Sequence, residues 1–274
     1  MSALLAIARA IKSERIKPKR SVLFAAFGAE EHGMAGSLYY VEHPSFELGR
    51  HVAMINLEKL GRAPDRPLTA EATGTSPAWG ELIQRITSGT TISVKLLPFI
   101  VPDSDHYPFA MSGIPAVTFL VPTRDDSHQP TDTADKIDYT KVVEYARLAL
   151  LATLAVADSA TKIPYTDVRG RDPGLVAHLI SAAEADAAGL RDPGSGLKVT
   201  GIIPGGAADR AGLKVGDLIL DVAGTPFARN MTLEALQKKQ MEVLMGREEQ
   251  IPLTVQRERA TLSLSLNLPA PKGP

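Results

Sequence analysis

Five short apolar runs in the first 158 residues, spaced by stretches with helical periodicity or by turns, restrict this chain more than any other feature. They are Ser21 to Phe27, His51 to Glu58, Pro67 to Ala72, Ser93 to Leu97 and Pro115 to Leu120. Helical spacing marks Ser2 to Ser13, Gly33 to Glu42, Pro77 to Ser88 and Asp138 to Ala157, and in the last Val142, Val143, Ala146, Leu150 and Leu154 share one face. Strands alternating with helices imply an α/β domain, with a mostly parallel sheet and helices on both faces. The opening helix carries Leu4, Leu5, Ile7, Ala8 and Ile11 at helical spacing. Arg9 interrupts the apolar run, so the segment reads as part of the folded domain and not as a secretory signal. No stretch reaches membrane-spanning length.

The texture changes after Asp158. Residues 159–173 mix Pro, Gly and charge, as in Thr161-Lys162-Ile163-Pro164 and Arg169-Gly170-Arg171-Asp172-Pro173-Gly174, and read as a linker. Residues 1–158 then form one domain, 174–268 a small mainly-β domain and 269–274 a tail, a division that 274 residues accommodate. The strands of the second domain are expected at Leu197 to Ile203, Leu218 to Val222, Ile251 to Gln256 and Thr261 to Leu268, with a helix from Thr232 to about Leu244. A net charge of −1 with interspersed signs excludes a nucleic-acid footprint and a polybasic membrane patch. With no cysteine, any metal must be held by His, Asp and Glu.

The carboxyl rim of such a sheet is where sites assemble. Glu30-Glu31, in Phe27-Gly28-Ala29-Glu30-Glu31-His32-Gly33, stands just beyond the first run. Two adjacent carboxylates repel, and a cation relieves them; equally, acids at a helix N-terminus suit the macrodipole and require no chemistry. Glu58 closes the second run. His128 lies in the polar loop Asp126-Ser127-His128-Gln129-Pro130-Thr131-Asp132-Thr133-Ala134-Asp135, where a lone histidine is ordinarily solvated. Glu31, Glu58 and His128 can therefore converge at one rim.

The segment Ser21 to Ser37, the run Asn56-Leu57-Glu58-Lys59-Leu60-Gly61-Arg62, the triplet Ser104-Asp105-His106 and the stretch His128 to Ile137 resemble, in order and spacing, the di-zinc aminopeptidase family. That family includes bacterial leucyl aminopeptidase, glutamate carboxypeptidase and, as a non-peptidase relative, glutaminyl cyclase. The resemblance covers residues 1 to about 158. It implies a zinc exopeptidase fold with two zinc ions per site in the full family, Glu30 as general base, Glu31 and His128 as ligands of one zinc, and Glu58 as a ligand of the other. It further implies that Asp105, His106, Asp132 and Asp135 orient ligands or substrate, with loop capping as the equal alternative for each.

Three departures accompany the resemblance. Glu58 stands where the family usually has aspartate, and Ser127 where many relatives place a tyrosine. The family's first zinc histidine, in a His-x-Asp motif, and its bridging aspartate lie upstream of the helix matching Ser2 to Lys12. The catalytic domain is thus expected to be N-terminally truncated, as in a shortened gene model, and to bind zinc poorly in this form. The implied function is a zinc-dependent aminopeptidase acting on peptides. The competing readings are a non-catalytic peptide-binding scaffold with a degenerate peptidase domain and, ranked last, acyl transfer of the glutaminyl cyclase kind. A full-length version is expected to be secreted or in the cell envelope.

In the second domain, the run from Gly196 to Ile219, with Pro204-Gly205-Gly206-Ala207-Ala208 and Ala211-Gly212-Leu213-Lys214-Val215-Gly216-Asp217, resembles a bacterial PDZ domain like those attached to envelope proteases. The resemblance implies capture of an extended C-terminal peptide as an added strand. Leu175, Val176, Ala177 and His178 are the nearest candidates for the peptide-binding edge, although the second loop glycine of the family is missing. Leu233 and Leu236 either form the opposite wall of the groove or pack in the core.

Overall fold

The computed structural model describes residues 1–62, 65–98, 100–122, 129–167, 172–190, 196–227, 231 and 248–269. Contacts divide the chain into two units, Met1–Gly28 with Tyr39–Val168, and Ala29–Leu38 with Arg169–Pro274.

In chain order the first part contains α1 (Ser2–Ser13), α2 (Ala35–Glu42), β1 (Met54–Glu58), β2 (Leu68–Glu71), α3 (Ala78–Thr87), β3 (Val94–Leu96), α4 (His106–Met111), β4 (Ala116–Leu120) and α5 (Tyr139–Asp158). The strands order as β1-β4-β2-β3. β1 with β4 and β2 with β3 are parallel pairs, joined by an antiparallel β2–β4 pair. Period-two alternation gives the sheet two different faces. Ile55 and Leu57 of β1, Val117 and Phe119 of β4, and Leu68 and Ala70 of β2 join the main core with Ala3 and Ile7 of α1, Leu82 and Ile83 of α3, and Ala149 and Ala152 of α5. The helix α5 starts where Asp138 accepts a hydrogen bond from Lys141 N–H at 3.0 Å, the N-cap geometry that satisfies an otherwise orphaned donor. On the other face a smaller cluster gathers Val41, Phe109 and Ile114 around Phe27, Tyr40 and Met54.

Two sequence expectations shift. Ser21 to Phe27 does not form a strand: residues 21–27 join none of the described ladders, and Leu23 is 51% exposed. An apolar run selects extended, half-buried chain but does not by itself supply a hydrogen-bonding partner. Phe24 still packs on the main core, and Phe27 on the aromatic cluster. The other expected strands of this part form, each shorter by one to three residues at an end. No described helix is long and apolar enough to cross a membrane.

The second unit is an antiparallel sheet. Its elements are β5 (Leu175–Leu179), α6 (Ala182–Ala187), β6 (Leu197–Ile202), α7 (Ala207–Arg210), β7 (Leu218–Val222), β8 (Thr225–Pro226), β9 (Gln250–Arg257) and β10 (Ala260–Asn267), and the strands order as β10-β9-β7-β6-β5. Alternation along β9 buries Ile251, Leu253 and Val255 together with Val199, Ile219 and Leu266. The expected helix from Thr232 to about Leu244, with Leu233 and Leu236, lies outside the described residues.

An ion pair closes the turn before β7. Asp217 is 1% exposed and takes Arg257 Nε at 2.7 Å and Arg257 Nη2 at 2.8 Å, while Lys214 N–H donates at 2.8 Å. Burial pushes the Asp217 carboxyl up, but Arg257 and the Lys214 amide outweigh it and hold it below its ordinary value. A depressed carboxyl stabilises the fold above its unfolded value of 3.8, and that contribution is lost as pH falls through the folded value. Asp217→Ala leaves a guanidinium without its partner. It is expected to destabilise by about 3 kcal/mol, the low end for a buried pair because the Arg257 side chain is 29% exposed. Urea unfolding of wild type and variant at neutral pH measures this, and the difference is expected to shrink in acid.

Candidate active site

Glu30 and Glu31 occupy a single 3-10 turn, Glu30–His32, that precedes α2 and is separate from it. The turn is bracketed by left-handed backbone at Ala29 (φ 57°) and Gly33 (φ 85°), followed by Met34 (φ 57°). Left-handed Ala and Met carry backbone strain of order 1–2 kcal/mol each, and the surroundings hold them there. Met34 is buried. A Cβ on Gly33 would lie 2.4 Å from Thr200 Oγ1, so this position excludes any side chain. The first turn of α2 contains no acid, so the macrodipole explanation of the pair does not apply to that helix. Glu30 is half-buried and Glu31 exposed.

The sheet face opposite the main core carries a polar row. Asn56 of β1 pairs in register with Thr118 of β4, and Thr118 with Glu71 of β2, so the three side chains share one face. Residues 101–106 cover this row. Asn56 Nδ2 donates to Ser104 Oγ at 2.9 Å, and Val101 N–H to Glu71 Oε1 at 3.3 Å. His106, fully buried at the start of α4, places Nε2 3.3 Å from Glu71 Oε1. Asp103 is exposed as a residue, yet burial of its carboxyl, reinforced by the Glu71 charge, pushes it up to about 7. Glu71, Asp103 and His106 are the one described group of three His, Asp or Glu residues whose ligand atoms could share an ion.

Sequence reasoning reached His106 through the Ser-Asp-His triplet but missed Glu71 and Asp103. Asp105 takes the N-cap position of α4 without a side-chain capping bond. Glu58, at the end of β1, has Oε1 2.5 Å from Lys59 Nζ, and Lys59 folds back through left-handed backbone. Arg62 reaches from just beyond β1 to Asp132 Oδ1 at 2.6 Å and to the carbonyl of Lys136 at 3.1 Å. Asp132 thereby anchors the start of the segment that leads into α5. Beside it, the Thr133 hydroxyl holds Asp135 below the usual carboxylate range. His128 lies outside the described residues. Glu30 and Glu31 fall in the second contact unit, whereas Glu58 and Asp132 fall in the first.

Leu175, Val176, Ala177 and His178 all lie on β5, which ends the strand order and pairs with β6 alone among the described strands. A strand paired on one side can accept another on its free side. Val176 is buried, whereas His178 is exposed and turns to Glu184, with Nε2 3.2 Å from Oε2. Lys198, 2.8 Å from Glu184 Oε1, is the main reason that this carboxyl falls to about 2, with the Ser181 amide and His178 adding to it.

The sequence model of peptidase family M28 matches residues 1–153, and that of a PDZ domain matches residues 198–257. Aminopeptidase YwaD of Bacillus subtilis is 29% identical over 173 residues, which are 59% of this chain and 36% of that protein. The structure of BSAP, a zinc aminopeptidase from Bacillus subtilis, superposes with a TM-score of 0.52 at 26% identity, covering 61% of this chain and 43% of that one. The LapA aminopeptidase of Legionella pneumophila shares the fold, with a TM-score of 0.53 at 20% identity over 58% of this chain and 45% of that one. The chain spans less than half the length of each of these relatives.

Proposed function

Because the chain belongs to peptidase family M28, we propose that it acts as a zinc-dependent exopeptidase, removing N-terminal residues from peptides, and that its PDZ domain holds a peptide or partner. The observation that carries this reading is the acidic pair Glu30-Glu31 in a turn bracketed by left-handed backbone at Ala29, Gly33 and Met34. Strain of that kind is typical of functional positions.

By the resemblance, Glu31 and His128 would be ligands of one zinc and Glu58 a ligand of the other; carboxylate oxygen and imidazole nitrogen are donors that zinc accepts. When bound, zinc would supply Lewis acidity that makes water a stronger acid near neutral pH. Glu30 takes the proton from the attacking water and passes it to the leaving amine. Its turn is closed by main-chain bonds, with Gly33 N–H and Met34 N–H donating to the Glu30 carbonyl at 3.1 and 2.8 Å. Asp132, through Arg62, orients the segment that follows His128.

Mass spectrometry of three peptides incubated with the zinc-loaded chain tests this. A peptide with a free amino terminus is expected to shorten one residue at a time from that end, and its N-acetylated twin to stay intact. A peptide beginning with glutamine is expected to be trimmed likewise. Loss of ammonia from that peptide without hydrolysis would replace the proposal with acyl transfer. Binding of all three without turnover would replace it with a scaffold.

A further inference from the structure

Every buried side-chain nitrogen or oxygen without a hydrogen-bond partner among the described residues falls in one place: His106 Nδ1, His106 Nε2 and Thr118 Oγ1. Buried polar groups are nearly always satisfied, and an imidazole that neither donates nor accepts is costly to bury. His106 is 0% exposed and Glu71 5%. Their closest atoms, Nε2 and Oε1, are 3.3 Å apart but do not form a hydrogen bond. Two donors bound at about 2.1 Å to one tetrahedral ion lie about 3.4 Å from each other, so the spacing is that of two ligands of a shared cation. Asp103 brings a third donor, and one ligand atom from each of the three residues lies within 4.8 Å of the others.

We propose that Glu71, Asp103 and His106 form a binding site for a first-row divalent cation of the zinc class, separate from the donors assigned above to the peptidase metal. One imidazole and two carboxylates, with a water in the remaining position, are a donor set that zinc accepts. Bound there, the ion satisfies the buried imidazole and fastens residues 101–106 onto the end of β2, beside the Asn56–Ser104 hydrogen bond. The competing occupant is a buried water, which would satisfy the same orphaned atoms without a metal.

The test removes the other donors first. In a chain bearing Glu31→Gln, Glu58→Gln and His128→Ala together, zinc titrated against a chromophoric chelator is expected to bind at one equivalent. No bound zinc in that variant overturns the site and leaves water as the occupant. Adding Asp103→Asn, a substitution at an exposed position that leaves the core unchanged, is expected to weaken zinc binding by at least about 10-fold. Unchanged affinity overturns the assignment. Adding His106→Asn is expected to abolish the equivalent, and retention of zinc by that variant also overturns it. The Asp103 variant keeps the outcome readable if the buried His106 substitution does not fold. Because the starting variant already lacks the donors of the proposed peptidase metal, the result is independent of whether the peptidase reading holds.

Discussion

Glu30→Gln is expected to lower turnover of an aminoacyl anilide by about 10²- to 10⁴-fold, the contribution of a positioned general base, while zinc content stays at the wild-type level. The amide matches the carboxylate in shape but does not take up a proton. The main chain of the turn is closed by the carbonyls of Ala29 and Glu30, with His32 N–H donating to Ala29 and Gly33 N–H to Glu30 at 3.2 and 3.1 Å, and glutamine keeps the length and shape of the side chain. A large loss of turnover with metal retained therefore reports chemistry and not misfolding. Loss of metal in the variant would make Glu30 a ligand, and unchanged turnover would remove it from the reaction. Steady-state kinetics alongside metal analysis of the same preparation separates the three results.

Trp79→Ala is expected to destabilise the first unit by about 3–5 kcal/mol, the usual range for emptying a buried aromatic site. Trp79 is fully buried and joins α3 to the main core. Its Nε1 donates to Thr75 Oγ1 at 3.1 Å, and that oxygen also accepts from Ala116 N–H at 3.0 Å, at the start of β4. The variant thus creates a cavity and takes a donor from the atom that ties residues 73–75 to β4. Trp79→Phe keeps most of the volume and loses the N–H, so it should cost nearer the ~1 kcal/mol of a hydrogen bond. Trp79 is the only tryptophan in the chain, so far-UV circular dichroism in urea, rather than fluorescence, measures both variants. Equal costs for the two would mean that the cavity contributes little.

Local patterns in the sequence reached most elements, because 3.6-residue and two-residue periodicities are written in the side chains that make the core. Ile7 on α1 and Phe119 on β4 are examples, each visible from its spacing and each buried where that spacing puts it. What escaped depends on pairing. Ser21 to Phe27 has the composition of a strand, but ladder membership needs a partner that its own residues do not encode. Glu71 looks like an ordinary acid at a strand end until the antiparallel β2–β4 register sets it opposite Thr118, and only long-range topology decides that register. The Asp103 carboxyl is raised by burial and then by the charge of Glu71, some thirty positions earlier in the chain, a relation that no short motif expresses. The acidic pair was legible as a feature of interest, while its confinement to a separate turn ahead of α2 rests on the backbone at Ala29, Gly33 and Met34.

The polar row of Asn56, Thr118 and Glu71 also bears on folding fidelity. In β4, Thr118 sits between Val117 and Phe119, and moving the strand by one position would push the hydroxyl into the apolar core and turn Phe119 onto the polar face. The same error against β2 would set Glu71 beside apolar residues on the wrong side. Groups that are awkward to bury thus act as alignment marks: they make mispaired sheets far less stable than the native one, so a chain that carries reactive groups at this rim also carries a proofreading device for its own strand order.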